Sequence, residues 1–399
     1  FVFGAFDYAY AGSQIIGTIP IRVDYLSAWF MLTISFTFLT GAWYGFRYMK
    51  KYTDQPSNLA MHAVAYVLAY TALIDICMVQ NGLIMLVFWE IMAVSAFMLV
   101  IFEHQKTETL KAGINYLIQS HVSILLLTLG FMWVKAETGT FDFTALNAYT
   151  SVHPGFISVG LFLLFFTGFA VKAGFVPFHT WLPLAHPAAP SHVSGIMSGV
   201  IIKIGIYGMF RLISLIHENQ TNLGIFIIAV SLLSAVFGIA NAAVKLDFKR
   251  MLAYCSIENI GIIGIGLGLG MVGLGNENAL LAFLGFSGAL IHTVNHSLFK
   301  SLLFFSAGNV YQQTHTRNME KLGGLLKKMP VTGSFFLLGS LAIGGLPPFN
   351  GFVSEYLIYL GLFNGMSNFT GNAQVILLIG TMASLAVVGG ISMLAFTKT

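Results

Sequence analysis

The chain has 399 residues, of which 57% are hydrophobic and only 9% charged, against about a quarter charged in an average soluble domain. Mean hydropathy is +0.82 and formal net charge +4; no soluble core needs so much apolar surface, so lipid is the expected solvent. Two cysteines, Cys77 and Cys255, each inside an apolar run, exclude a disulfide framework and any cluster site built by this chain alone.

The first 24 residues alternate weakly and read as a short extended segment or hairpin on the outer surface. The chain opens on Phe1, with no charged n-region ahead of a small-residue cleavage site; no signal peptide is expected, and a fragment or processed chain is. Apolar runs of membrane-spanning length follow at 25–46, 58–79, 82–102, 109–133, 156–176, 190–214, 223–244, 251–273, 280–309, 331–362 and 373–396. The expected fold class is therefore all-α, a polytopic transmembrane helical bundle. Thirteen of the 19 Lys and Arg residues fall in the loops after odd-numbered spans, among them Arg47, Lys106, Lys249, Arg317 and Lys398. Odd-numbered spans then end in the cytoplasm, with the N-terminus outside.

Two spans are interrupted. The fifth reads KAGFVPFHTWLPLAHPAAP, and the tenth IGGLPPFNGFVSEYL. Proline removes a backbone donor and clashes with the preceding turn, and such breaks survive at membrane depth only inside protein or along a wet cavity. The breaks lie five spans apart, so two five-helix repeats of opposite topology are expected: 58–214 and 223–396, after an extracytoplasmic segment and one leading span in 1–57. Two unrelated proline kinks are the other reading.

Six charges lie deep inside spans: Glu90, Lys172, Lys203, Glu258, Lys300 and Glu355. Unpaired, they would cost on the order of 15–20 kcal/mol on insertion scales, so they must face one another or water. Burial disfavours a charged form and an opposite charge restores it; groups held between the two effects change protonation readily, as a proton path requires. His292, His296 and Lys300 are spaced i, i+4, i+8 and share one helix face. They read as a relay, or as a polar seam of packing residues. Glu90 and Lys172 read as a gate or as a static ion pair. Glu258, about eight residues into its span, could be interfacial, Asp75 meets headgroups, and His179, His186 and His192 surround the first break. The glycine run GIIGIGLGLG after Glu258 reads as close helix packing.

The segments FWEIM, AVKAGFVPFHTWLPLAHPAAPSHVSGIMSGVIIKIGIYG, DFKRMLAYCSIENIG, NHSLFKSLLFFSAGNV and GGLPPFNGFVSEYL together resemble the antiporter-like membrane subunits shared by respiratory complex I, Mrp antiporters and energy-converting hydrogenases. HPAAPSHVSGIMSG and SIENIG look most like the large membrane subunit of formate hydrogenlyase-type hydrogenases; complex I members more often carry Ser-His where this chain has Glu258 and Asn259. The resemblance implies a broken-helix glutamate–lysine pair at Glu90 and Lys172, a central lysine at Lys203, a histidine–lysine helix at His292, His296 and Lys300, and a terminal charge at Glu355. Full-length members have about fourteen spans; this chain begins where their third should.

The expected function is proton translocation as a non-redox membrane subunit of a redox-driven complex in a prokaryotic cytoplasmic membrane. No cofactor or metal motif and no nucleic-acid signature is present in this chain. The resemblance implies other membrane and soluble subunits as partners, bearing iron–sulfur clusters and, in hydrogenases, a nickel–iron site. Rival readings are a sodium/proton antiporter subunit, an enzyme with its own quinone site, and a structural anchor for soluble redox subunits.

Overall fold

A computed structural model describes residues 4–12, 18–368 and 371–397; Lys398, assigned above to the basic face, lies outside them. Among the described residues, ten helices are long and apolar enough to cross a membrane, and the chain is a multi-pass membrane protein. The tenth expected span is divided at its break into two helices, Pro330–Ile343 and Asn350–Asn368.

The chain forms two compact units. The first comprises Phe1–Ala173 and Val200–Glu218. It opens with an antiparallel hairpin, β1 (Phe6–Ala11) and β2 (Thr18–Val23), in which Phe6 pairs with Val23. Four long helices follow: α1 (Tyr25–Tyr48), α2 (Pro56–Met78), α3 (Gly82–Val100) and α4 (Thr107–Thr138). A short helix, α5 (Phe143–Val152), fills a stretch read from sequence as a loop, and α6 (Phe156–Ala173) ends this run. The last helix of the unit is α9 (Lys203–Ile213).

Asp24 starts α1 by accepting a hydrogen bond from Ser27 N at 2.9 Å. Its carboxylate also receives both arms of the Arg211 guanidinium from α9, at 2.6 and 3.0 Å. Burial opposes the charge on Asp24, but these bonds outweigh it and hold the carboxyl at about 2. Arg211 looked from sequence like an ordinary helix-end cation; it fastens α1 to α9.

The second unit comprises Gly174–Gly199 and Asn219–Thr399. It holds α7 (Leu182–Ala188), α8 (Ser191–Ile196), α10 (Gln220–Val244), α11 (Phe248–Gly275), α12 (Ala279–Thr314), α13 (Leu325–Lys328), α14 (Pro330–Ile343), α15 (Asn350–Asn368) and α16 (Asn372–Thr397). Helix α11 is 94% buried over its most apolar stretch. Its glycines allow that: a Cβ at Gly261 would stand 2.5 Å from the α10 backbone at Ser231 and Ala235, and one at Gly268 would meet Gly224 O at 2.7 Å. Close packing is thus the work of the glycine run.

The two breaks share a plan. After α6, Gly174 takes φ +83, a left-handed value suited to glycine that ends the helix. After α14, Gly345 takes φ +65. A cis X–Pro bond follows in each case, Val176–Pro177 and Pro347–Pro348.

Candidate functional site: buried polar clusters in each unit

In the first unit the expected Glu90–Lys172 contact is not made. Lys172, in the last turn of α6, is 1% exposed. Its ammonium donates to Tyr116 Oη at 2.8 Å and Ser120 Oγ at 3.4 Å, and lies 4.7 Å from the Tyr116 ring centroid. Glu90 instead faces His121, with Oε1 3.3 Å from Nε2. Both sets of partners come from α4, where Tyr116 and Ser120 lie one turn apart and His121 is the next residue. The acid and the lysine are therefore each held by α4, with Glu90 still near enough for its charge to act on Lys172. Lys203 is also buried, at 1% exposure. It opens α9 directly after a π-helical turn spanning Met197–Ile201; π-turns are found mostly at functional positions.

The second unit holds a longer chain of hydrogen bonds. His292 on α12 is fully buried and engaged at both ring nitrogens: Nδ1 with Ser354 Oγ at 2.9 Å and Nε2 with Asn259 Oδ1 at 3.1 Å. Asn259 Nδ2 donates to Cys255 O at 2.8 Å, which orients the amide so that Oδ1 accepts from Nε2–H. Ser354 has one proton and two possible acceptors, Nδ1 and Gly351 O, the latter at 2.9 Å. Donating to Nδ1 leaves His292 neutral. Turning to Gly351 O frees an oxygen lone pair to accept from a second ring N–H, and the imidazolium is satisfied. One hydroxyl rotation thus accommodates both protonation states. The network extends on: Asn295 donates to Ser354 Oγ at 3.0 Å and Asn350 O at 2.6 Å, and Asn350 donates back to Asn295 Oδ1 at 3.1 Å.

Two turns along α12, Lys300 is fully buried and donates to Leu252 O at 2.6 Å. Ser256 donates to the same carbonyl at 3.0 Å and exchanges a hydrogen bond with Ser198 at 2.8 Å. His296, between His292 and Lys300, is fully buried and meets Phe299 edge-on, with centroids 5.4 Å apart. Glu258 is 2% exposed and packed inside the unit; α11 begins at Phe248, capped by Asp247, three residues earlier than the apolar pattern predicts. Glu258 and the partly buried Glu355 line one cavity.

Around the first break, His186 is fully buried against Phe304 at 4.8 Å, His192 is buried, and half-buried His179 meets Phe237 at 4.6 Å. Lys249 read as a loop cation. It is 3% exposed and donates to Ala189 O, the C-cap of α7, at 2.6 Å. Sequence reasoning also passed over Asn259, Ser354 and Asn295. Their signal was available: each adjoins or lies one turn from a flagged charge or histidine inside an apolar helix. Among the described residues, no group of three His, Cys, Asp or Glu is placed to hold a metal.

Residues 79–385 match the family described as NADH:quinone oxidoreductase/Mrp antiporter, TM. Hydrogenase-4 component B of Escherichia coli is 38% identical over 384 residues, covering 95% of this chain and 56% of that protein. Formate hydrogenlyase subunit 3 of the same organism is 36% identical over 311 residues, covering 77% and 49%. The chain spans about half the length of these curated relatives. A solved Mrp complex from Dietzia sp. contains a chain of the same fold, with TM-score 0.83 and 20% identity over 99% of this chain and 69% of that one.

Proposed function

From the premise that this chain belongs to the NADH:quinone oxidoreductase/Mrp antiporter transmembrane family, we propose that it moves protons across the bilayer as the non-redox membrane subunit of a redox-driven complex. The observation that carries the reading is His292, buried, bonded at both nitrogens and able to hold one or two protons without moving its neighbours. In the proposed path protons enter near the first break and load Lys203. They continue along the His292, His296 and Lys300 face and leave by Glu355. Glu90 and Lys172 govern loading: exchange of Glu90 between His121 and Lys172 changes the field at the lysines.

Partner subunits bearing iron–sulfur clusters, with a nickel–iron site in a hydrogenase assembly, would supply the drive; the hydrogenase relatives support this. The membrane is the prokaryotic cytoplasmic membrane, with the first described residues outside. The matching breaks, each a left-handed glycine before proline, support two repeats of opposite topology, 58–214 and 223–396. The test is proton translocation by the reconstituted complex carrying Lys203→Ala. Loss of pumping with assembly intact is expected. An assembled variant that pumps normally would leave the chain a structural anchor, and pH changes that require sodium would make it a sodium/proton exchanger.

A further inference from the structure

Helices α11, α14, α15 and α16 line a cavity of about 10 Å³ whose polar groups are Glu258, Glu355, Tyr359 and Ser392, room for one occupant the size of a water. Glu258 is 2% and Ser392 1% exposed; the Ser392 hydroxyl lies beside the Glu258 carboxyl, and neither Glu258 Oε2 nor Ser392 Oγ completes a hydrogen bond of full geometry among the described residues. Opposite them, the Glu355 carboxylate lies over the bare Cα of Gly345. A Cβ there would stand 2.6 Å from Glu355 Oε2 and displace the carboxylate.

The charges around the cavity do not balance. Helices α10, α14 and α16 contain no ionisable side chain. The titratable groups that face the two acids are Lys300 from α12, Cys255 on α11 and Tyr359 on α15; His292 on α12 is engaged with Asn259 and Ser354. With both acids ionised, two carboxylates against one ammonium leave a single excess negative charge beside the buried Glu258, which is costly unless compensated. An anion or neutral molecule does not correct that imbalance, a divalent ion overcorrects it, and an organic cation does not fit the volume. The donors are all oxygens, as hard cations prefer.

We propose that this cavity binds one small monovalent cation, hydronium or sodium, between the Glu258 and Glu355 carboxylates, with the Ser392 hydroxyl as a third oxygen. The inference rests on reading the chain as an ion carrier and names what that carrier holds at the α11–α15–α16 end. When the occupant is a proton, the two acids share it, so either acid alone is balanced by Lys300 and needs none.

The test is infrared difference spectroscopy of the reconstituted complex, stepped in pH in potassium buffer and then titrated with sodium chloride at constant ionic strength. The expected result is one protonated-carboxyl band that Glu258→Gln and Glu355→Gln each abolish completely, and that Ser392→Ala shifts while keeping both acids. Bleaching of that band by sodium identifies sodium as an occupant; insensitivity to sodium identifies the proton. Two independent acids would instead each retain about half the signal. That outcome, or a Ser392→Ala spectrum identical to wild type, overturns the proposal. Should the glutamine variants not assemble, the Ser392→Ala spectrum decides. Loss of pumping in Lys203→Ala with no shared band in the wild type removes the site and keeps the carrier. A shared band with normal pumping in Lys203→Ala keeps the site and removes the carrier.

Discussion

The polar groups of the first unit are kept apart, whereas those of the second are joined. On α4, Lys172 finds two neutral hydroxyls and Glu90 finds His121, itself half-exposed. The acid and the lysine feel each other's charge without touching. In the second unit, side chains from α11, α12 and α15 form an unbroken set of hydrogen bonds from Cys255 O through Asn259, His292 and Ser354 to Asn295 and Asn350. A separated pair stores a field that can be changed; the His292–Ser354 link can take up and hand over a proton, with the Asn259 and Asn295 amides holding it in place. On the proposed reading the two units carry different parts of one task, control in the first and conduction in the second.

Breaking the joined side should have the largest effect. Lys300→Ala removes the ammonium bonded to Leu252 O and should lower pumping roughly a hundredfold or more, the scale of a lost acid–base group. Proton uptake in proteoliposomes measures it, with partner electron transfer as the control for assembly. The next effect is on stability in the first unit. Arg211→Met strands the Asp24 carboxylate and should cost about 3 kcal/mol, roughly a hundredfold in the folded ratio, read as a lower Tm in detergent. The same contact gives an acid limit. The Asp24 carboxyl is held at about 2 against an ordinary 3.8, so it favours the folded state above pH 4. That contribution, on the order of 2 kcal/mol, should disappear as the pH falls from about 4 towards 2, and Arg211→Met should abolish the dependence.

Touching the separated side should tune rather than stop transport. Glu90→Gln keeps the shape and deletes the charge, so pumping should slow by about tenfold, one unit of field at the loading lysine, with the network of the second unit intact. A complete loss would mean that the acid itself conducts. The smallest effect belongs to the surface: Lys106→Ala removes a 59%-exposed partner of Glu103 and should change stability by about 1 kcal/mol or less.

The spans were legible in the sequence because hydropathy is a local property, and the breaks because Gly174, Pro177, Gly345 and Pro347 act on their own backbone. In-span charges announced themselves as anomalies in apolar runs. Their partners did not, since which side chain faces which depends on helix rotation and tilt. Glu90 was paired with Lys172 through the family resemblance, whereas packing gives it His121. Lys249 sits beside Arg250 and looked equally solvated, but α7 ends against it. The start of the Glu258 helix was set three residues late because Phe248 and Lys249, which begin it, blur the apolar edge. The linkers Asn259 and Ser354 carry no charge; their nearness to Glu258 and Glu355 was the one signal in the sequence, and their positions between α11, α12 and α15 give it meaning.

The central claim is that the joined network carries the proton, and His292→Leu tests it most directly. Leucine fills the space but offers neither Asn259 nor Ser354 a partner. In proteoliposomes holding the assembled complex, proton translocation per electron pair should fall to background while partner electron transfer continues. An undiminished ratio in the assembled variant would contradict the account.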